Sequence, residues 1–296
     1  MYKKGEVALE ILIQQLFNGL TIGSIYSLVA LGLTLVYGIL HIPNFAHGAL
    51  YMMGGYITLS AMTYLGIHYV LAIFISLLVV GILSVLMDRL VFHPLRESPP
   101  IQHKVAAIGM LLFLEAFAQM LWGADYRQMS TPFDNVINVF GLTVTFQRLI
   151  IVITAVTVMI LLTIFLRKTF IGASIIAMAQ NREGASLVGI NTNRVTMLTF
   201  FIAGALAAIG SSLTAPINLV FPSMGHLVIL KAFVIIIIGG MGSVPGAILG
   251  GYILGFTESI GATYISNDYK DLIAFILLVI ILTVKPQGIF SRGEQS

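Results

Sequence analysis

Nine apolar segments divide this chain, and they constrain its fold more than any other feature of the sequence. Charged residues make up only 9% of its 296 residues, whereas an ordinary soluble domain carries about 25%. Inside a membrane the backbone N–H and C=O groups must bond within the segment itself, so such segments fold as helices. We therefore predict one all-α polytopic membrane domain over residues 1–296, with about eight or nine transmembrane or re-entrant helices. The apolar segments are residues 9–39, 48–66, 69–92, 105–122, 149–166, 195–213, 227–238, 246–261 and 272–284.

The last three segments are short, and a break rich in glycine and proline interrupts them. Short segments broken in this way are typical of discontinuous helices that border a transport path. We therefore expect the break to line the substrate pathway. The residues concerned are Gly239, Gly240, Gly242, Pro245 and Gly246.

A second break separates the first two apolar segments and contains Asn44, Phe45, His47 and Gly48. Irregular polar backbone at membrane depth is tolerated only where it is buried in protein or lines a cavity. His47 by itself fits a buried, hydrogen-bonded histidine as well as it fits a pathway residue. For the break as a whole we predict a position at or near the substrate pathway.

The loop at residues 167–194 carries four basic residues against one acidic residue. Loops rich in Lys and Arg stay in the cytoplasm, so this loop sets the orientation of the chain. The same rule puts the loop at 93–103 inside and the loop at 123–147 outside. Lys285 and Arg292 then place the C-terminus in the cytoplasm. The side of the N-terminus depends on whether eight or nine segments cross, and both options stay open.

Within that loop, residues 181–190 predict a short, self-contained helix. Asn181 can cap its free N–H groups, Glu183 lies in the first turn, where the helix dipole favours an anion, and Gly189 can take the left-handed conformation that ends a helix. About two turns are too short to span a bilayer, so the helix lies at the surface and needs a partner to stabilise it. A plain connector between two spans is the alternative.

The sequence contains none of the enzyme motifs His-Glu-x-x-His or Gly-x-Ser-x-Gly, nor the phosphate-binding pattern Gly-x4-Gly-Lys-Ser/Thr. It has no Cys, which excludes disulfides and cysteine-bound metal. Few ionisable residues lie inside the apolar segments, and we single out Glu115, Lys231 and Glu258. We favour structural or interfacial roles for them because they lie in separate segments. We expect no catalytic residue, no metal and no cofactor on this chain. The net charge of +3 reflects membrane orientation, and we expect no nucleic acid as a partner.

Several blocks of the sequence closely resemble the LivH-type permease family of branched-chain amino acid ABC importers. The stretch Asn-Phe-Ala-His-Gly at residues 44–48 is one such block. The likeness extends over nearly the whole chain, from residue 16 to residue 290. The other matching blocks are residues 18–26, 30–38, 185–195, 231–234 and 239–247.

This resemblance implies an ABC importer permease fold in a bacterial or archaeal cell membrane. The expected partners are a homologous second permease, two cytoplasmic ABC ATPases that bind ATP and Mg, and an extracytoplasmic substrate-binding protein. Permeases for urea, amides and other small solutes share much of the pattern, so the solute stays open. The alternative from another class is a stand-alone amino-acid transporter driven by an ion gradient.

Importers of this kind carry a Glu-Ala-Ala-x-x-x-Gly pattern, whose short helix docks into a groove of the ATPase. Glu183, Gly184, Ala185 and Gly189 resemble that pattern, and Arg182 precedes it. Gly184 replaces the middle Ala, which costs about 1 kcal/mol of helix propensity. The resemblance therefore implies that these residues couple the permease to an ATPase, which orders the helix on docking.

Overall fold

The computed structural model describes residues 2–133, 135–139, 142–266 and 269–290. Within them the chain forms eleven α-helices, one π-helical turn and one β-hairpin. In chain order the elements are α1 (Tyr2–Leu40), α2 (His47–Thr63), α3 (Tyr69–Met87), the π-helical turn (Asp88–Phe92), α4 (Pro100–Trp122), β1 (Val136–Val139), β2 (Leu142–Thr145), α5 (Phe146–Lys168), α6 (Phe170–Gln180), α7 (Arg182–Leu187), α8 (Thr192–Thr214), α9 (Met224–Gly239), α10 (Val244–Tyr264) and α11 (Lys270–Val284).

Five helical stretches of the described chain are long and apolar enough to cross a membrane: α1, α3 with its π-helical turn, α4, α5 and α8. Helices α9 and α10 meet the same criteria only as a pair, and the chain bends by 118° at the break between them, as in a broken span or a re-entrant loop. The shorter α2 and α11 account for the remaining apolar segments. Every apolar segment is therefore helical, and the predicted polytopic all-α fold is confirmed.

Helix α1 is largely buried in the bundle, where it packs against α8, α9 and α10. Its crossing with α10 leaves no room for side chains at the contact. A Cβ atom on Gly23 would lie 2.9 Å from the Cα atom of Tyr252. Four residues further along, the Ser27 hydroxyl donates a hydrogen bond to the carbonyl oxygen of Ile248 at 2.9 Å. Small residues thus let the two backbones meet, as in many membrane helix pairs.

The course of α1 gives the bundle two distinct ends. Near its start, the Gln14 amide donates a hydrogen bond to the carbonyl oxygen of Thr143 in the β-hairpin at 3.3 Å. Near its end, Gly38 packs against Ala179 of α6. We call the end with α6 and α7 the loop face, and the end with the β-hairpin the hairpin face. The first turns of α1 and the loop at 167–194 therefore lie at opposite ends of the bundle.

The described chain ends on the loop face. The Ile289 N–H donates to the carbonyl oxygen of Ile238 at 2.8 Å, so the segment after α11 packs under the end of α9. Gly242, in the break after α9, lies beside Gly38. The segment that carries Lys285 is thus on the same face as α7, while Arg292 lies outside the described residues.

The region between α4 and α5, predicted as a loop, contains the antiparallel β1–β2 hairpin. Val136 pairs with Thr145 and Val139 pairs with Leu142. A further bridge joins Arg127 to Val220, so this region also contacts the connection between α8 and α9.

The α1–α10 crossing generates a first prediction. Gly23→Ala forces a Cβ atom against the backbone of Tyr252 and should destabilise the fold by about 1–3 kcal/mol, which is the usual cost of overpacking a tight site. Gly109→Ala on α4 is the matched control, because a Cβ atom there meets open space. Thermal unfolding of both variants in the same detergent should give a lower melting temperature for Gly23→Ala alone. Equal melting temperatures would contradict the close packing described for this crossing.

Candidate functional site

The short helix predicted at the loop face is present as α7. The Asn181 Oδ1 atom accepts a hydrogen bond from the Gly184 N–H at 2.8 Å, which caps the N-terminus. Gly189 has a φ of 85°, in the left-handed region. The Ile190 N–H then returns to the carbonyl oxygen of Ala185 at 3.1 Å and completes the C-terminal cap. The capping roles of Asn181 and Gly189 are confirmed.

The surface of α7 combines an acidic group with exposed apolar side chains. Ala185 is buried and holds the helix against the bundle, whereas Glu183 is exposed. Leu187 and Val188 follow at the end of the helix with 87% and 77% of their surface exposed. Neither residue is among the site residues predicted from the sequence. The sequence does contain an indication of their role, because large apolar side chains at the end of a polar surface helix are unusual unless a partner covers them.

A buried ion pair lies near α7 on the loop face. The Arg96 Nη2 atom is 3.4 Å from Asp88 Oδ1, and the Asp88 side chain is fully buried. Arg96 also donates a hydrogen bond to Asn193 Oδ1 at 2.6 Å, at the start of α8. Burial lowers the pKa of the Arg96 guanidinium, and the Asp88 carboxylate opposes that shift. This cluster connects the turn after α3 to the helix that follows α7.

Residues 44–48 lie in the interior, at the start of α2. The Asn44 Oδ1 atom accepts the N–H of Ala46 at 3.1 Å, which shapes the turn into the helix. His47 is fully buried, and its Nε2 atom lies 3.1 Å from the carbonyl oxygen of Val29 on α1. Because a carbonyl oxygen only accepts, that ring nitrogen carries the proton. His47 Nδ1 has no hydrogen-bond partner among the described residues.

The first break contacts α9 near the beginning and the middle of that helix. The ring of Phe45 lies 4.9 Å from the ring of Phe233, measured between centroids. Gly48 meets Gly225 so closely that a Cβ atom on Gly48 would be 2.5 Å from the Gly225 carbonyl oxygen. The start of α2 and the start of α9 are therefore in backbone contact.

The second break reverses the chain at the other end of α9. Gly239 and Gly246 are in direct backbone contact across it, and a Cβ atom on either residue would overlap the carbonyl group of the other. Gly240 and Gly242 have φ angles of 95° and 81°, which glycine adopts without strain. Pro245 opens α10 from an exposed position. The second break thus lies at the end of α9, whereas the first break contacts the beginning and the middle of that helix.

A polar cleft of about 400 Å³ lies on the hairpin side of the bundle. It opens between α1, α2, the start of α5, the end of α8 with the α8–α9 connection, α9, α10 and the start of α11. No residue of the two predicted pathway segments lines it. Its polar lining includes Asn18, Tyr26, Arg148, Asn218, Lys231 and Glu258.

Charged side chains from three helices meet in this cleft. The Lys231 Nζ atom lies 2.9 Å from Glu258 Oε1 and 3.0 Å from Asp271 Oδ1. It also donates a hydrogen bond to the Tyr26 hydroxyl oxygen at 2.8 Å. The Tyr26 hydroxyl in turn donates to Glu258 Oε2 at 2.7 Å. The third intramembrane charge, Glu115, lies elsewhere and pairs with His226 at 2.7 Å.

In the sequence, Lys231 and Glu258 are two separate intramembrane charges, and the structure brings them together. The two residues lie 27 positions apart on separate helices, and Tyr26 and Asp271 lie on two more. The sequence feature that could have indicated this pairing is the small number of charged residues within the apolar segments. Within the described residues, no group of three or more His, Asp or Glu side chains is arranged to hold a metal ion.

Known proteins resemble this chain along nearly its full length. The family model described as "Branched-chain amino acid transport system / permease component" matches residues 15–282. The high-affinity branched-chain amino acid transport system permease protein LivH of Escherichia coli (strain K12) is 37% identical, over 95% of this chain and 96% of its own. The corresponding protein BraD of Pseudomonas aeruginosa is 36% identical over the same shares.

A solved structure described as an inward-facing conformation of a putative metal-chelate type ABC transporter shares the fold. It superposes with a TM-score of 0.52 at 13% identity, covering 96% of this chain and 89% of that chain. At such low identity the likeness concerns the fold alone.

The Asp88–Arg96 pair generates a second prediction. Arg96→Met leaves a fully buried carboxylate without its cation and should cost about 3 kcal/mol or more, whereas the double variant Asp88→Asn with Arg96→Met should recover most of that loss. Arg194→Met, at an exposed position, is the matched control. Melting temperatures in detergent measure all three. A single variant as stable as the control would show that the pair does not hold the loop face together.

Proposed function

Because the chain belongs to the family of branched-chain amino acid transport system permeases, we propose that it is the membrane permease subunit of an ATP-driven ABC importer for branched-chain amino acids. The observation that carries this proposal is the match of the family over residues 15–282, together with relatives that align end to end. An aliphatic amino acid, delivered from outside, would cross the membrane along this subunit.

Other subunits would supply the energy for transport. Two ABC ATPases would bind ATP and Mg and hydrolyse ATP, since the chain lacks the phosphate-binding pattern of such proteins. A homologous second permease would complete the translocation path, and an extracytoplasmic binding protein would deliver the solute. This chain would carry no cofactor or metal and perform no catalysis.

We place the ATPase contact on α7. Arg182, Glu183, Gly184, Ala185 and Gly189 would form the docking helix, and the exposed side chains of Leu187 and Val188 would be covered by the ATPase. Large apolar side chains exposed on a short helix favour a protein partner, because their burial contributes about 1.5–3 kcal/mol each. The loop face would then be cytoplasmic, as the basic residues of the loop at 167–194 also favour. The segment after α11 ends on the same face.

A continuous series of contacts supports the transmission of movement from α7 to the breaks. Helix α6 leads directly into α7, and its Ala179 packs against Gly38 of α1. Gly38 lies beside Gly242 in the break between α9 and α10. Closure of the ATPases would push α7 and α6 towards α1 and shift the break, a rigid-body movement of packed helices.

The two breaks would form the moving part of the substrate pathway. Gly239, Gly240, Gly242, Pro245 and Gly246 lie at and beyond the end of α9. In the break that contains Asn44, Phe45, His47 and Gly48, Phe45 contacts the middle of α9 and Gly48 contacts its start. A tilt of α9 would therefore alter both breaks together. Backbone groups freed at the breaks would face the passing solute.

A stand-alone transporter driven by an ion gradient is the alternative, and one observation favours it. Glu258 is a buried carboxylate in a cleft, which is where an ion-coupled carrier would hold its cation. Lys231 already balances the charge of that carboxylate, which argues against the binding of a lone inorganic cation there. Dependence on partner ATPases distinguishes the two functions.

The ATPase contact generates a third prediction. Purification of this chain from its native cells in mild detergent should recover two ATPases and a second, similar permease. Leu187→Asp should weaken the ATPase interaction by about ten-fold or more, because burying a charge in an apolar contact forfeits the burial energy of the leucine. Quantitative mass spectrometry of the recovered complex gives the ATPase-to-permease ratio.

Leu65→Asp is the matched control, since Leu65 is 70% exposed at the end of α2, away from the loop face. It should leave the ATPase-to-permease ratio unchanged. Equal recovery of ATPases with both variants would contradict the assignment of α7. Recovery of the wild-type chain alone, in several detergents, would contradict the importer function itself.

A further inference from the structure

The lining of the hairpin-side cleft contains the kinds of group that bind an α-amino acid. A cation and a carboxylate lie side by side at its base, in Lys231 and Glu258. Apolar side chains, among them Ile22, Ile25 and Leu227, line the same cleft. Its volume of about 400 Å³ lies within the range of small-molecule sites. A branched aliphatic amino acid presents a carboxylate, an ammonium and an apolar side chain, which match these three components.

The charge cluster involves both oxygens of the Glu258 carboxylate. The Lys231 Nζ atom lies 2.9 Å from Oε1 and donates a hydrogen bond to Oε2 at 3.1 Å, and the Tyr26 hydroxyl also donates to Oε2. Among the described residues, Oε1 has this charge contact but no hydrogen-bond donor of its own, although the side chain is only 5% exposed. A carboxylate oxygen can accept more than one hydrogen bond, so Oε1 can accept one from a ligand ammonium.

Asp271 allows Lys231 and Glu258 to change their ion-pair partners when a ligand binds. It gives Lys231 a second counter-charge at 3.0 Å, and its own side chain is 43% exposed at the start of α11. Lys231 can therefore remain paired when Glu258 turns to a ligand ammonium. The Lys231 ammonium then also has a donor available for the ligand carboxylate. A zwitterion adds no net charge, so the charge of the cleft is unchanged by its arrival.

Stability alone does not account for a buried ion pair of this kind. Replacing such pairs with well-packed apolar residues is often neutral or stabilising, because the desolvation of both charges offsets their attraction. A ligand that binds to both charged groups would explain why Lys231 and Glu258 lie in the cleft.

We propose that this cleft is a transient binding site for a zwitterionic branched aliphatic amino acid. Glu258 binds the ammonium group, Lys231 binds the carboxylate, and Ile22, Ile25 and Leu227 surround the side chain. The inference rests on the proposed function, which brings an amino acid to the hairpin face. It adds the residues that recognise the two charged ends of the solute.

The chain contains no Cys, so a single introduced cysteine reports on the cleft. In the complete importer, Ile217→Cys places a thiol in the cleft lining, at a half-exposed position. The rate of its modification by a maleimide should fall when leucine is added without binding protein. Two analogues of similar shape test each charge: 4-methylpentanoate lacks the ammonium and 3-methylbutylamine lacks the carboxylate.

We expect leucine to protect the thiol at concentrations about ten-fold or more below those needed for either analogue, since one hydrogen bond to a charged group contributes a factor of that size. In the same background, Glu258→Gln keeps the size of the side chain and should abolish the preference for leucine over 4-methylpentanoate. Glu115→Gln is the matched control, because it neutralises an intramembrane carboxylate outside the cleft. It should leave protection by leucine unchanged.

Protection by both analogues equal to that by leucine would overturn the proposal. A leucine preference that persists in Glu258→Gln would overturn it as well. The analogue comparison uses only the Ile217→Cys complex, so it does not depend on the folding of any cluster variant. ATP-driven leucine uptake by the same complex is measured in parallel. Uptake without protection refutes this cleft alone, whereas the absence of ATP-driven uptake refutes the proposed function.

Discussion

Direct backbone contact between helices is the constraint on which the rest of this structure depends. In a membrane the lipid is as apolar as the side chains, so helices associate through close packing. Gly23 lets α1 meet α10, Gly48 lets α2 meet α9, and Gly239 with Gly246 lets the chain reverse between α9 and α10. A side chain at any of these crossings would push the helices apart. Because α1 and α9 take part in these crossings, both breaks and the cleft depend on them.

The crossings also place chemically different regions at the two ends of the bundle. The loop face carries a capped surface helix with exposed apolar side chains and a buried Asp88–Arg96 pair beside it. The hairpin side carries a polar cleft with Lys231 and Glu258 at its base. Helix α1 reaches both ends, since it contacts α6 near its end and lines the cleft with its first half. A subunit that transmits movement between its two faces needs this kind of connection.

The sequence predicted those features that depend on neighbouring residues. The caps of α7 at Asn181 and Gly189 follow from local side-chain and backbone preferences, and so does the broken path of α9 and α10. The cleft was not predictable in this way, because Tyr26, Lys231, Glu258 and Asp271 come from four helices. Likewise, the strands β1 and β2 have four residues each, too few to show a clear alternation. Contacts between residues far apart in the sequence determine both the cleft and the hairpin, and the sequence of a single segment does not reveal such contacts.

The measurement that tests the account most directly is uptake of radiolabelled leucine by proteoliposomes. One preparation contains this chain alone, and the other contains it with the co-purified permease, ATPases and binding protein. The account predicts uptake only in the complete preparation, dependent on ATP and unaffected when ionophores collapse all ion gradients. Uptake by the chain alone, driven by an ion gradient and abolished by the ionophores, would contradict it.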